Sequence, residues 1–186
     1  MPQYKYLIIG AGMAADAAVQ GIRQIDREGS IGLIGSESQP PYDRPPLSKG
    51  LWKGKPLESV WRKAAVRDAT VLLGHTVVGL DAENNRVTDD QGIAYRYEKL
   101  LLATGGTPRR LPAGSPGVIY FRTVEDYSRL RQLAEEKQRF VVVGGGFIGS
   151  EIAAALTMSG KQVVLVFPEK GIGARMFPAD LATFLN

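Results

Sequence analysis

Gly10-Ala11-Gly12-Met13-Ala14-Ala15 and Gly144-Gly145-Gly146-Phe147-Ile148-Gly149 are two copies of one glycine pattern, and their reading decides the fold. Each follows an apolar run that predicts a strand, Tyr6-Leu7-Ile8-Ile9 in the first case and Phe140-Val141-Val142-Val143 in the second. Each opens a stretch with helical spacing. In the first, Ala14, Ala18, Gly21, Ile22 and Ile25 form an apolar stripe that ends near Glu28-Gly29; in the second, Ile148, Ile152, Ala155 and Leu156 share a face. Strand, glycine-rich turn and helix in that order is the setting in which the pattern binds a dinucleotide. The first glycine permits the tight turn and the second leaves room for a pyrophosphate. A third small residue, Ala15 or Gly149, keeps helix and strand in contact. The helix N-terminus then offers free N–H groups and a partial positive charge to the anion. Gly10, Ala11, Gly12, Met13 and Ala14 are therefore candidate binding residues, as are Gly144, Gly146, Phe147, Ile148 and Gly149. The alternative for either copy is an ordinary strand–turn–helix.

Each repeat continues as a nucleotide fold should. Ile31-Gly32-Leu33-Ile34 predicts the second strand of the first repeat, and Glu37 follows where an acidic residue hydrogen-bonds a ribose hydroxyl. Its other reading is a solvated loop carboxylate. Gln162-Val163-Val164-Leu165-Val166-Phe167 closes the second repeat, and Glu169 stands in the corresponding place. A carboxylate there accepts from the 2′-hydroxyl of NAD and repels the extra phosphate of NADP, which favours NADH. Lys170 and Arg175 follow, and either could soften that preference.

Composition removes several chemistries. With 186 residues and no cysteine, the chain has no disulfide, no thiolate metal site and no dithiol relay; a single histidine, His75, argues against a histidine-rich metal site. The net charge of +4 comes from scattered positives rather than a clustered basic face, so nucleic acid is not an expected partner. No apolar run approaches the roughly 18 residues of a membrane span, and Met1 to Lys5 lack a signal peptide's apolar core, so the expected location is cytoplasmic.

Between the repeats lies Gln39-Pro40-Pro41-Tyr42-Asp43-Arg44-Pro45-Pro46-Leu47-Ser48-Lys49-Gly50. Its four prolines predict a stiff loop outside regular structure. Arg44 and Lys49 could reach phosphate or an electron-rich ring, or could be two solvated charges on a surface connector. Short strands over 71–73 and 76–80, a hairpin turning at Asn84-Asn85, and a return through Ile93 to Tyr97 predict a β-meander. His75 is expected to be exposed and without a role. Lys99-Leu100-Leu101-Leu102 predicts a parallel strand buried on both faces, running into Ala103-Thr104-Gly105-Gly106-Thr107-Pro108-Arg109. Pro112, Gly114 and Pro116 mark a linker, which puts the domain boundary between 113 and 114. Thr123 and Asp126 have the spacing of a helix start, and that helix should run to Gln138.

The run Pro41 to Lys49, taken with both glycine turns and the Ala103-Thr104-Gly105 turn with Pro108-Arg109, resembles the pyridine nucleotide-disulfide oxidoreductase superfamily. The resemblance is to its FAD-dependent ferredoxin and rubredoxin reductases and their relative, apoptosis-inducing factor. Phe167-Pro168-Glu169-Lys170-Gly171 resembles the latter in particular. The resemblance implies an α/β protein with two Rossmann-like, three-layer nucleotide-binding folds and a β-meander, the second fold incomplete. Residues 1–113 would be the first segment of an FAD-binding domain and 114–186 the opening of an NAD-binding domain.

By the same resemblance, Ala103, Thr104, Gly105 and Arg109 join Gly10 to Ala14, Glu37, Arg44 and Lys49 around FAD, with the backbone of Val78 at the adenine. Glu151 would lie near the nicotinamide; its plain reading is a helix-start carboxylate. The activity implied is transfer of electrons from NADH through flavin to an iron–sulfur protein or other acceptor, with a homodimer as an open option. No residue reads as a catalytic acid, base or nucleophile, because the cofactors carry the chemistry. The alternatives are a low-turnover redox-sensing signalling protein and an inactive truncated fragment. Since such enzymes continue well past the equivalent of Asn186, the 186 residues alone are expected to retain flavin weakly or not at all.

Overall fold

The computed structural model describes residues 1–112, 114 and 117–186. Ala113, Ser115 and Pro116, where the sequence sets the domain boundary, lie outside the described residues. The chain divides into two compact units, one of Met1–Asp43 with Glu58–Gly106, the other of Arg44–Leu57 with Thr107–Asn186.

The first unit is built on β1 (Gln3–Ile9), α1 (Met13–Ile25), β2 (Ile31–Gly35), α2 (Ala64–Asp68), β3 (Thr70–Leu73), β4 (Val77–Asp81), β5 (Arg86–Asp89) and β6 (Ala94–Leu102). Its six strands form one sheet in the order β3-β2-β1-β6-β5-β4. The first four are parallel and the last two continue as an antiparallel meander. Side chains of a strand alternate between faces, and β1 uses both. Ile8 packs with Ala15 and Val19 of α1 and Ala65 of α2, while Leu7 and Ile9 pack with Val87, Tyr95 and Tyr97 of the meander. Helices, sheet and meander thus make three layers, and a strand covered on both sides reads as an unbroken apolar run.

Four expectations are corrected here. First, α1 stops at Ile25, three residues early, because Asp26 turns extended and its carboxylate accepts from the N–H groups of Glu28 and Gly29 in place of another helical turn. Second, the end of β6 is not buried: Leu101 and Leu102 are 42% and 61% exposed. There β1 pairs along one edge, while β5 reaches only Ala94 to Arg96 on the other. Third, His75 is half-buried, with Nδ1 2.7 Å from Oδ2 of the buried Asp89. Fourth, the proline-rich stretch is not irregular throughout, since Pro45–Ser48 and Gly50–Lys53 are 3₁₀ turns. Proline is tolerated at the first positions of such a turn, where its missing N–H has no partner to lose.

The second unit contains α3 (Val124–Glu136), β7 (Arg139–Val143), α4 (Phe147–Met158), β8 (Gln162–Val166) and α5 (Ala179–Phe184). Strands β7 and β8 pair in parallel, from Arg139 opposite Gln162 to Val143 opposite Val166. Helix α3 starts on a capping box, in which Asp126 N–H donates to Thr123 Oγ1 and the Asp126 carboxylate accepts from the Thr123 N–H. Such a box satisfies two otherwise orphan donors. The core joins Leu130 and Ala134 of α3 to Ile152, Ala155 and Leu156 of α4 and to Trp52 of the second 3₁₀ turn.

Candidate nucleotide-binding sites

In the first unit the glycine turn joins β1 to α1. Gly10 has φ +119°, and a Cβ there would run into the Ala103 carbonyl, so only glycine fits. This contact sets the first glycine turn directly against the Ala103-Thr104-Gly105 turn, as does the Ala103 N–H donating to Ile9 O at 2.7 Å. Gly12 caps α1 with extended backbone and no side-chain cap, and nothing stands within 4 Å of where its Cβ would be. The 13-residue helix therefore starts without a side-chain cap, beside open space that a side chain at Gly12 would enter. Met13 is half-buried and Ala14 exposed at the start of that helix, and Ala11 packs close to Gly35 at the end of β2.

Glu37 follows β2, half-buried, and accepts a hydrogen bond from the Tyr42 hydroxyl. Val78 is exposed at an irregularity in the β4–β5 ladder, where Val77 pairs Asp89 and Gly79 pairs Thr88. That leaves Val78 outside the register. Thr104 and Gly105 are exposed, with Gly105 at φ +71°.

The second unit repeats the arrangement between β7 and α4. Gly144 has φ +121°, Gly146 caps α4 without a side-chain partner, and the space beside Gly146 is open. A Cβ on Gly149 would strike the Gly144 carbonyl, the close helix-to-turn approach expected of a third glycine. Phe147 and Ile148 are exposed at the head of α4. Glu169 follows β8 and pairs with Arg175, Nε to Oε1 at 2.7 Å.

Arg44, Lys49 and Arg109 also belong to the second unit. Arg44 donates to the Arg122 carbonyl at 3.1 Å, and Arg109 is exposed. Lys49 Nζ lies 2.8 Å from Glu151 Oε2, and the same oxygen accepts from Ser48 Oγ at 2.6 Å. Glu151 lies beyond the first turn of α4, so the carboxylate answers to this pair rather than to the helix end. Burial pushes its pKa up, but the Lys49 and Ser48 hydrogen bonds and the Lys49 charge outweigh that and hold it below the ordinary value. Ser48, 4% exposed, is a candidate site residue that sequence reasoning missed. Its only sequence signal is its place beside Lys49.

The group His75, Asp89 and Asp90 could in principle ligate a metal. However, Asp89 already accepts from His75, Tyr95 and the Gln91 and Ile93 N–H groups, so it fits a structural anchor.

The chain is 35% identical to the 5,5'-dehydrodivanillate O-demethylase ferredoxin reductase subunit of Sphingobium sp., over 100% of this chain and 47% of that protein. It is 32% identical to mitochondrial apoptosis-inducing factor 1 of Dictyostelium discoideum, over 98% of this chain and 39% of that one. Among solved structures, a covalent putidaredoxin reductase–putidaredoxin complex superposes with a TM-score of 0.87 at 30% identity, covering 100% of this chain and 47% of its own. The chain thus spans about half the length, or less, of the relatives it matches. No helix among the described residues is long and apolar enough to cross a membrane. The family profile for pyridine nucleotide-disulphide oxidoreductases matches residues 4–186, and the chain belongs to that family.

Proposed function

We propose that this chain carries the FAD site and the opening of the NAD site of a reductase that moves electrons from NADH to an external carrier, an iron–sulfur protein of ferredoxin type or a rubredoxin. The observation that carries the reading is the pair of uncapped helix N-termini, each behind a glycine beside open space. Both fit a pyrophosphate. In this reading Gly10, Ala11, Gly12, Met13 and Ala14 hold the FAD pyrophosphate, Glu37 the adenosine ribose and Val78 the adenine, with Ala103, Thr104 and Gly105 alongside. Gly144, Gly146, Phe147, Ile148 and Gly149 hold NAD. Glu169 takes its ribose, and Ser48, Lys49 and Glu151 form a charged group for the nicotinamide end. Arg44 and Arg109 offer further cations for nucleotide phosphate.

FAD, when bound, supplies the conversion between two-electron and one-electron transfer, which no side chain here can perform. Ser48 and Lys49 keep the Glu151 carboxylate ionised and fixed. With no cysteine in the chain, no dithiol of its own stands between flavin and acceptor. The reading carries a cytoplasmic location, for fractionation to test, and leaves a homodimer to light scattering.

The test is anaerobic reduction of a ferredoxin by NADH with the flavin-loaded, full-length protein. Rapid, NADH-dependent turnover supports the reductase. The likeness to apoptosis-inducing factor favours a second reading, redox sensing with low turnover. A slow reaction with a long-lived charge-transfer band would support that one instead, and absence of any flavin reduction would overturn both.

A further inference from the structure

Asp16 puts a negative charge at the helix end assigned to a pyrophosphate. It stands in the first turn of α1, just behind the glycine turn, and its side chain is only 2% exposed. Its Oδ1 accepts from the Ala65 N–H at 2.9 Å, and its Oδ2 from Gln20 Nε2 at 2.8 Å. Ala65 lies in α2, so the carboxylate ties the start of that helix to α1. The same carboxylate works against an anion. Water screens it little, and it offsets the partial positive charge that the helix N-terminus would otherwise turn toward phosphate.

Arg62 answers that charge. Its Nη1 lies 3.0 Å from Asp16 Oδ2 and donates to the Met13 carbonyl at 3.4 Å, while its Nε lies 2.8 Å from Asp43 Oδ1. Asp43 is 42% exposed, so water screens its charge, and its part is to aim the guanidinium at Asp16. The backbone at this point is held independently of the arginine side chain. Arg62 N–H donates to the Pro41 carbonyl at 2.8 Å and Asp43 N–H to the Val60 carbonyl at 2.9 Å. Between these bonds the Tyr42 and Trp61 rings meet edge-on with centroids 5.9 Å apart.

Resting on the assignment of the first glycine turn to FAD, we propose that Arg62 is a positioning residue for the flavin nucleotide, acting through Asp16. Its guanidinium neutralises the buried carboxylate and so restores the attraction of the α1 N-terminus for the pyrophosphate. Without Arg62, the phosphates would meet an unpaired buried negative charge, and bound FAD would be driven off. Without Asp16 as well, that repulsion is gone and the arginine is no longer needed.

Flavin release from the full-length, flavin-loaded protein tests this through the fluorescence of the freed FAD, with no turnover involved. Arg62→Gln should release flavin about tenfold faster or more, the order expected when a charge in a partly buried site loses its partner. Asp16→Asn should release it no faster than the wild type. The double variant, Asp16→Asn with Arg62→Gln, should return to within about threefold of the wild type, since the two effects are coupled. A merely structural role predicts the reverse for these two: each lost contact loosens the site, and the double variant is at least as leaky as Arg62→Gln. Should Arg62→Gln fail to fold, Asp16→Asn and the double variant, which bury no unpaired charge, still decide. Release unmoved by Arg62→Gln, release more than about threefold faster in Asp16→Asn, or no recovery in the double variant overturns the inference and leaves the FAD site standing. A wild-type protein that binds no FAD overturns the site and the inference together.

Discussion

Gly10 and Gly12 stand two residues apart and are glycine for different reasons. Gly10 needs a positive φ and has the Ala103 carbonyl where a Cβ would be. Gly10→Ala should therefore cost about 3 kcal/mol or more in a urea titration. Gly12 has an ordinary φ and empty space, so Gly12→Ala should cost no more than about 1 kcal/mol. Its penalty should appear instead as weaker FAD binding, because the methyl enters the space assigned to the pyrophosphate.

Asp89 and Tyr95 give a residue-level test of a different kind. Burial pushes the Asp89 carboxyl up, but hydrogen bonds from His75, Tyr95, Ile93 and Gln91 hold it below the ordinary range. Burial first, and then the Asp89 hydrogen bond, push the Tyr95 phenol from 10.0 up to about 12. A group whose folded pKa is raised contributes stability that is complete below its unfolded pKa and is lost as pH rises through the folded one. Stability from Tyr95 should thus fade between pH 10.0 and about 12. Thermal melts should show that Tyr95→Phe flattens this alkaline decline.

At the scale of elements, Trp52 explains how the proline-rich segment is held. Its indole N–H donates to the Leu47 carbonyl at 2.9 Å, its ring meets Tyr127 edge-on with centroids 5.9 Å apart, and Arg131 lies over it at 5.0 Å. Removing a buried tryptophan typically costs about 3–5 kcal/mol, so Trp52→Ala should destabilise the second unit by that order in a denaturant titration. It should also loosen Lys49, which sits between the two 3₁₀ turns, and with it the Glu151 pair.

This segment marks the limit of what can be read from the sequence. The strands, the glycine turns, the hairpin at Asn84-Asn85 and the Thr123 cap were legible because their signals are local: periodicity, positive φ, and a capping residue three positions from its partner. The Ser48–Glu151 and Lys49–Glu151 contacts, by contrast, join residues more than a hundred positions apart. Nothing in either stretch announces the other. His75 shows the same limit, since its burial depends on meeting Asp89 across a turn. The early end of α1 depends on the Asp26 side chain bonding forward to its own loop and to Lys5, whose hydrogen bond is the largest influence keeping that carboxyl far below the usual range.

For the molecule as a whole, two turns of similar build would serve separate ligands: FAD at the first and a nicotinamide nucleotide at the second. The most direct measurement follows flavin content and anaerobic bleaching by NADH in the full-length protein, in parallel for Gly12→Val and Gly146→Val. Each substitution fills the open space beside one helix N-terminus and leaves the other turn intact. Gly12→Val should be purified without flavin. Gly146→Val should keep its flavin at wild-type stoichiometry but no longer be bleached by NADH. Retention of flavin by Gly12→Val, or normal bleaching of Gly146→Val, would contradict the assignment.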